Sequence, residues 1–249
     1  MSVVKVCVSI PNMGYTQPMS YCNRLVNFMY LGKMEKQREL TNMEPKFEFS
    51  FSVIGRVFTP VARDEAVNLA LSNDCDYLYM IDDDMICPDN MFEMLYRHDV
   101  DIVAPLAFTR NPPHKPVIYH TVEGYDAVSK KDYFINNVVM NYPKDQLVEC
   151  DAVGFGAVLI KRWVMEKMAK PRFMSTCGTG EDILFCNKAK KLGARIFMDT
   201  SCKLGHLGNA QNITEKYVED YRNGNGFNPE KYADYASFSK QDAAFVTGD

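Results

Sequence analysis

The sequence predicts an α/β fold built on a mainly parallel central sheet. Three observations carry that reading. Apolar strand-like runs alternate with amphipathic helical stretches, the pattern of parallel strands joined by crossover helices. One wholly apolar run ends abruptly in Asp82, Asp83 and Asp84, and ligands in open α/β sheets bind outside such strand ends. Finally, 249 residues, 47% of them hydrophobic, fill one large domain of ~100–200 residues or two small ones, and a chain this long buries roughly 70–75% of its unfolded surface without a staple.

Val3 to Ile10 reads as the first strand, and Ser20 to Met34, with Leu25, Phe28, Met29 and Met34 at helical spacing, as the first helix. Phe47 to Ile54 is the second strand. Thr59-Pro60 then opens a helix running to about Leu71, with Thr59 as N-cap and Pro60 in the first turn. Asp76 to Ile81 is the clearest strand, and CPDNMFEMLYRH after the aspartates has the Pro start and apolar spacing of another helix. Asp101 to Phe108 is a fourth strand.

From there to Val153 short β pieces are broken by Asn111-Pro112-Pro113, Gly124 and Tyr142-Pro143, giving an antiparallel, loop-rich second half. Ala157 to Ile160 is a buried strand, Arg162 to Lys170 a helix, and STCGTG a mobile loop of small polar residues. Glu181 to Leu192 is helical, with Gly193 in the C′ position. Arg195 to Met198 is a short strand, SCKLGHLGN a turn-rich loop, and Thr214 to Tyr221 the last helix. Residues 1–223 are expected to form a single domain, with 224–249 a tail rich in Asn, Gly, Ser and Tyr.

The net charge is −4 with Lys and Arg scattered, so no basic stripe offers phosphate-backbone binding, although nucleic acid stays open as a substrate. Eight cysteines without a CxxC pair read as reduced thiols. The start lacks a secretory leader, and no apolar run approaches the ~20 residues that cross a bilayer. A cytoplasmic protein is expected, in which the sequon Asn212-Ile213-Thr214 carries no meaning.

Three adjacent carboxylates repel one another, and along a strand Asp82 and Asp84 would share one face while Asp83 takes the other. A hard divalent cation relieves that repulsion: Mg²⁺ or Mn²⁺ takes oxygen ligands, commonly one or two carboxylates plus substrate phosphates. A solvated turn or a helix cap is the plainer account of such a cluster. Glu181 and Asp182 open a helix behind a Gly-containing loop, placed either for capping alone or to take a proton from an incoming hydroxyl. His206, between Gly205 and Leu207, is either a packed loop residue or an imidazole ligand beside the metal site.

Taken in order, VSIPNMG, TPVARDEAVNLAL, DYLYMIDDDM, VGFGAVLIKR, GTGEDILFCNKAKKLGARIFMD and GHLG resemble the GT-A fold glycosyltransferases that use nucleotide sugars, nearest to the small family 2 type of microbes and phages. The resemblance covers about residues 3 to 208. It implies a GT-A architecture, Rossmann-like, with helices on both sheet faces and a smaller antiparallel acceptor-side portion. Residues 1–108 would form the donor half and 109–223 the acceptor half.

The resemblance also assigns roles. Asp84 and His206 would hold Mn²⁺ or Mg²⁺, Asp82 would meet the ribose or the metal, and Asp83 would assist at the nucleotide sugar. Ser9, Ile10, Pro11 and Asn12 would meet the base and ribose, and Arg63 the nucleotide or the aspartates. Asp182 would be the acceptor-side base and Glu181 a substrate contact, while Gly154 and Gly156 would let backbone approach the sugar. Asp64 departs from the Asn frequent in that family, which changes the local hydrogen bonding. STCGTG resembles the acceptor loop that closes over a bound donor.

The implied donor is a nucleotide-diphosphate sugar, with a UDP-sugar favoured. The acceptor is a glycan or lipid-linked sugar, a protein side chain, a small molecule or a modified nucleic-acid base. Tyr119, Tyr125, Tyr133, Phe134 and Tyr142 could stack on a sugar or base, or belong to the core. A sugar-phosphate nucleotidyltransferase is the alternative enzyme, but PNMGYTQP has one Gly and no basic residue to cradle a triphosphate. An aspartyl phosphatase would carry its Asp-x-Asp after the first strand. A nucleotide-sugar-binding module without turnover is the non-enzymatic reading.

Overall fold

The computed structural model describes residues 3–12, 14, 16–126, 130–176, 178–208 and 212–223. The expected tail from 224 onward, Cys177 of the STCGTG loop and the side chains of Tyr125, Tyr133 and Phe134 lie outside the described part. By its contacts the chain divides into Met1–Thr214 and Glu215–Asp249.

In chain order the first unit contains β1 (Val3–Asn12), α1 (Pro18–Leu40), β2 (Lys46–Gly55), α2 (Thr59–Ser72), β3 (Tyr77–Ile81), β4 (Met85–Ile86), α3 (Met91–Tyr96) and β5 (Ile102–Leu106). It continues with β6 (Ile118–Asp126), β7 (Lys131–Val138), β8 (Leu147–Cys150), β9 (Ala152–Val153), β10 (Ala157–Lys161), α4 (Arg162–Lys167), α5 (Glu181–Lys191), β11 (Ile196–Lys203), β12 (Gly205–Leu207) and β13 (Asn212–Ile213). The second unit contributes α6 (Glu215–Arg222).

The main sheet has seven strands in the order β2-β1-β3-β10-β5-β11-β8. β10 and β8 run against their neighbours, and the other five strands share one direction. The sheet is therefore mostly parallel, as the alternation of elements predicts, with an antiparallel strand at its centre that periodicity could not reveal. Two three-stranded sheets flank it, β13-β12-β4 and β7-β6-β9.

Alternating side chains divide β1 between two layers. Val6 and Val8 join Phe47 and Phe49 of β2 in a core with Leu31 and Met34 of α1 and Met91, Phe92 and Leu95 of α3. Six residues are too few for an independent helix. What holds α3 is Phe92, whose ring meets those of Phe47, Phe49 and Tyr79 at 5.4, 5.1 and 5.5 Å, each pair contributing ~0.5–1.5 kcal/mol beyond burial. On the opposite face α2 lays the buried Ala62, Ala66 and Ala70 against β1 and β3. Small residues at that spacing let a helix approach the sheet closely.

Several local expectations change. Phe58, not Thr59, caps α2, and no side chain bonds the helix end. Gly124 does not break a strand but sits inside β6 opposite Tyr133, in an eight-pair hairpin. β11 runs on to Lys203 past a register shift, and His206 lies on β12, which pairs with β4, rather than in a loop. Within STCGTG, Thr176 and Thr179 exchange main-chain hydrogen bonds of 3.1 and 3.3 Å, with Gly178 at φ +98° in the turn. Gly193, at φ +89°, does close α5 as its position implies.

Candidate active site

Beyond Ile81 the chain leaves β3, so Asp82, Asp83 and Asp84 occupy a turn before β4. Strand alternation does not govern them, and all three line one cleft of ≈ 520 Å³. Their main chain is held from two sides. Asp82 N–H donates to Gly156 O at 2.8 Å, and Leu207 N–H donates to Asp84 O at 2.9 Å.

From the other side α1 presents a row of polar side chains. Ser20 Oγ donates to the carbonyls of Asp83 and Met85, and Arg24 Nη2 donates to Met85 O at 2.8 Å and Asp82 O at 3.3 Å. Asn23 clasps Cys87 through both its main-chain groups, and Asn27 Nδ2 donates to Pro88 O. None of these four was singled out from the sequence. Their spacing (20, 23, 24, 27) is the helical period, so a polar stripe on the buried face of a helix was the available signal.

Arg63 projects from α2 into the middle of the cleft floor and is only 3% exposed. Its Nη2 donates to both Asp82 oxygens at 3.0 and 2.9 Å and to Phe155 O at 3.3 Å, Nη1 lies 3.4 Å from Glu181 Oε1, and the guanidinium sits 5.5 Å over the Phe155 ring. One buried cation thus ties the end of β3 to the start of α5. Burial pushes the Asp82 carboxyl up to about 7; Arg63 opposes the shift, while the neighbouring Asp84 and Asp182 add to it. Burial likewise raises Asp182, against Arg63 and with Glu181. Asp182 Oδ1 accepts from Ile183 N–H at 2.8 Å and Oδ2 from Phe155 N–H at 3.4 Å. A Cβ on Gly180 would lie 2.7 Å from Oδ1, so that carboxylate pose requires the glycine.

Asp84 belongs to a different group. Its Oδ2 accepts from Arg110 and lies 3.2 Å from His206 Nε2, while His206 Nδ1 is 2.7 Å from Phe108 O. Burial alone would raise Asp84, but His206 and Arg110 hold it below the ordinary carboxylate value. Burial would depress His206, and the bond to Asp84 holds it up instead.

Among the described residues no group of three or more His, Cys, Asp or Glu is arranged to hold a metal. The structure brings together two of the three expected ligands, Asp84 and His206, and gives Asp82 to Arg63. An oxygen and a nitrogen donor 3.2 Å apart, with the imidazole oriented by a carbonyl on its far nitrogen, suit a divalent cation that completes its shell with substrate oxygens.

Pro11 and Asn12, Arg63, the aspartates, Glu181, Asp182 and His206 all line this cleft. Ser9 and Ile10 do not, being buried within β1. The missing Cβ of Gly154 faces Val117 at 2.8 Å and that of Gly156 faces the Met85 side chain at 2.9 Å, so protein side chains occupy the space both glycines leave. Asp64 accepts from the buried Arg172 at 3.1 Å, a local ion pair that gives a carboxylate at this position its reason. Arg110 was also missed, since it stands in a Pro-rich segment without motif.

No protein-family model and no curated protein matches the sequence. Solved structures do. A197 from STIV superposes with a TM-score of 0.56 at 19% identity, over 86% of this chain and 91% of that one. GalNAc-T7, solved with UDP, GalNAc and Mn²⁺, superposes with a TM-score of 0.50 at 12% identity, over 84% of this chain and 44% of that one. The chain has the GT-A fold. In the GT-A frame the aspartate turn, Arg63 and the start of α5 meet in one cleft with His206, which lies 122 residues beyond Asp84 in sequence. This GT-A chain spans less than half the length of GalNAc-T7. No helix among its described residues is long and apolar enough to cross a membrane.

Proposed function

We propose that the chain is a metal-dependent glycosyltransferase that moves a sugar from a nucleotide-diphosphate sugar, preferably a UDP-sugar, to an acceptor hydroxyl with inversion. The observation that carries the reading is the single cleft in which an Asp84–His206 donor pair faces a carboxylate pair, Glu181 and Asp182, across a buried arginine. Pro11 and Asn12 border the end where the nucleoside would rest. Asp84 and His206 would hold Mn²⁺ or Mg²⁺, which when bound neutralises charge on the departing diphosphate.

Asp182 is the base. As the acceptor oxygen bonds to the anomeric carbon and the bond to the diphosphate oxygen breaks, Asp182 takes the hydroxyl proton. A carboxylate raised by burial is better matched to that task than a solvated one. Glu181 contacts the substrate and Arg63 positions it together with Asp82. The acceptor belongs to the classes of glycan, lipid-linked sugar, protein side chain, small molecule or modified nucleobase. A cytoplasmic setting belongs to the same reading.

Thermal melting with a panel of nucleotide sugars and Mn²⁺ tests the donor, since a ligand at 100 times its Kd stabilises by ~2.7 kcal/mol. Asp84→Ala should abolish the Mn²⁺-dependent stabilisation. Asp182→Asn should keep it and lose turnover by about 10²–10⁴-fold. Normal transfer by either variant removes the corresponding role, and pyrophosphate-driven release of sugar phosphate would reassign the chain to nucleotidyl transfer.

A further inference from the structure

Arg110 stands at the cleft with its guanidinium on Asp84 Oδ2, the oxygen that His206 Nε2 approaches at 3.2 Å. Two features distinguish this contact from an ordinary surface pair. The loop that carries Arg110 is closed on itself: Thr109 N–H donates to Lys115 O at 2.9 Å, Lys115 N–H to Thr109 Oγ1 at 2.9 Å, and His114 N–H to Asn111 O at 3.1 Å. The backbone under Arg110 is thereby fixed, whereas its side chain is 46% exposed and can turn along the cleft. The same segment also orients the imidazole, because Phe108 O meets His206 Nδ1.

A divalent cation held by Asp84 and His206 competes with the guanidinium for the Asp84 carboxylate, since two cations on one carboxylate repel. We propose, on the transferase reading above, that Arg110 is an exchangeable counter-ion. It neutralises Asp84 until a divalent cation takes that carboxylate, and it then turns to the diphosphate of the incoming donor. A planar guanidinium suits that second partner, since it grips phosphate oxygens through paired N–H···O bonds where an ammonium offers a point charge. The cleft would keep its charge balanced at each stage, and the donor's diphosphate would be met by a side chain as well as by the cation.

Calorimetric titration of the whole chain, first with Mn²⁺ alone and then with UDP at saturating Mn²⁺, separates the two roles. In Arg110→Gln, Mn²⁺ should bind about tenfold more tightly and UDP about tenfold more weakly, each the size of one charge-assisted hydrogen bond. Arg110→Lys keeps the charge without the fork, so it should stay near the parent for Mn²⁺ and fall between the two for UDP. Unchanged or weaker Mn²⁺ binding in Arg110→Gln, or undiminished UDP binding, overturns the exchange. A parent chain that binds no UDP with Mn²⁺ brings down the transferase reading and this inference together, so the parent titration tells the two failures apart.

Discussion

Replacing Arg63 by Met removes two hydrogen bonds to Asp82, one to Phe155 O and the ion pair with Glu181, while leaving an apolar side chain of similar length in the gap. Arg63 is 3% exposed, while Asp82 keeps a quarter of its side chain open to the cleft, so water replaces only part of the lost partner. Asp82, which burial holds at about 7 even beside Arg63, must then stay charged without its counter-ion or take up a proton more fully, and breaking a buried pair from one side costs at most ~3–5 kcal/mol. For a chain of this size that lowers Tm by roughly 6–20 °C at ~2–4 °C per kcal/mol. Asp82→Asn alone should cost ~1–3 kcal/mol, because the amide offers Arg63 one acceptor instead of two. In the double variant position 82 carries no charge to strand, although Glu181 and Asp182 still lose Arg63, so its total loss should fall short of the sum of the single losses by ~2 kcal/mol. Urea unfolding of the four proteins at pH 7 closes the cycle. Losses that add within ~0.5 kcal/mol would show that Arg63 and Asp82 do not depend on each other and would refute the account of the cleft floor.

Asp199 gives a pH-dependent prediction away from the cleft. Burial pushes its carboxyl up, but hydrogen bonds from His98 and Ser201 outweigh that and hold it below the ordinary value. Its contribution is therefore complete above the unfolded value of ~3.9 and is lost as pH falls through the lower folded value. Between pH 6 and pH 3 the parent's urea midpoint should drop further than that of Asp199→Asn, and equal drops would contradict the assignment. Arg24→Met strips Asp82 O and Met85 O of a buried donor, which should cost ~1–3 kcal/mol and weaken Mn²⁺-UDP binding by loosening the aspartate turn. A variant with the parent's stability and affinity would mean that α1 does not hold that turn.

Much of the fold was legible because burial writes itself into period. Apolar runs such as Tyr77 to Ile81 and Ala157 to Ile160 announce strands, and their order announces an α/β sheet. Direction is not written there, because β10 is buried on both faces whichever way it runs. The aspartates, Glu181, Asp182 and His206 were readable from their places at the edges of apolar segments, whereas Arg63, inside α2, was reached only through the family resemblance. Arg110 and the polar row on α1 were not read. Arg110 acts through a loop closure that only the folded backbone reveals, and Ser20, Asn23, Arg24 and Asn27 act on carbonyls rather than on charged partners.

The reversed central strand has a consequence for how the molecule is made. β10 pairs Ala157 with Ile81, across a long stretch of chain. Until that stretch has been synthesised, the edge of β3 carries open N–H and C=O groups of the kind that pair with stray strands. Contacts so distant in sequence form slowly, because loop closure precedes their reward. The acceptance of Asp82 N–H by Gly156 belongs to the same late event. The aspartate turn therefore gains the Gly156 side of its support only when the sheet is sealed, and a half-made chain has an exposed edge and no finished cleft.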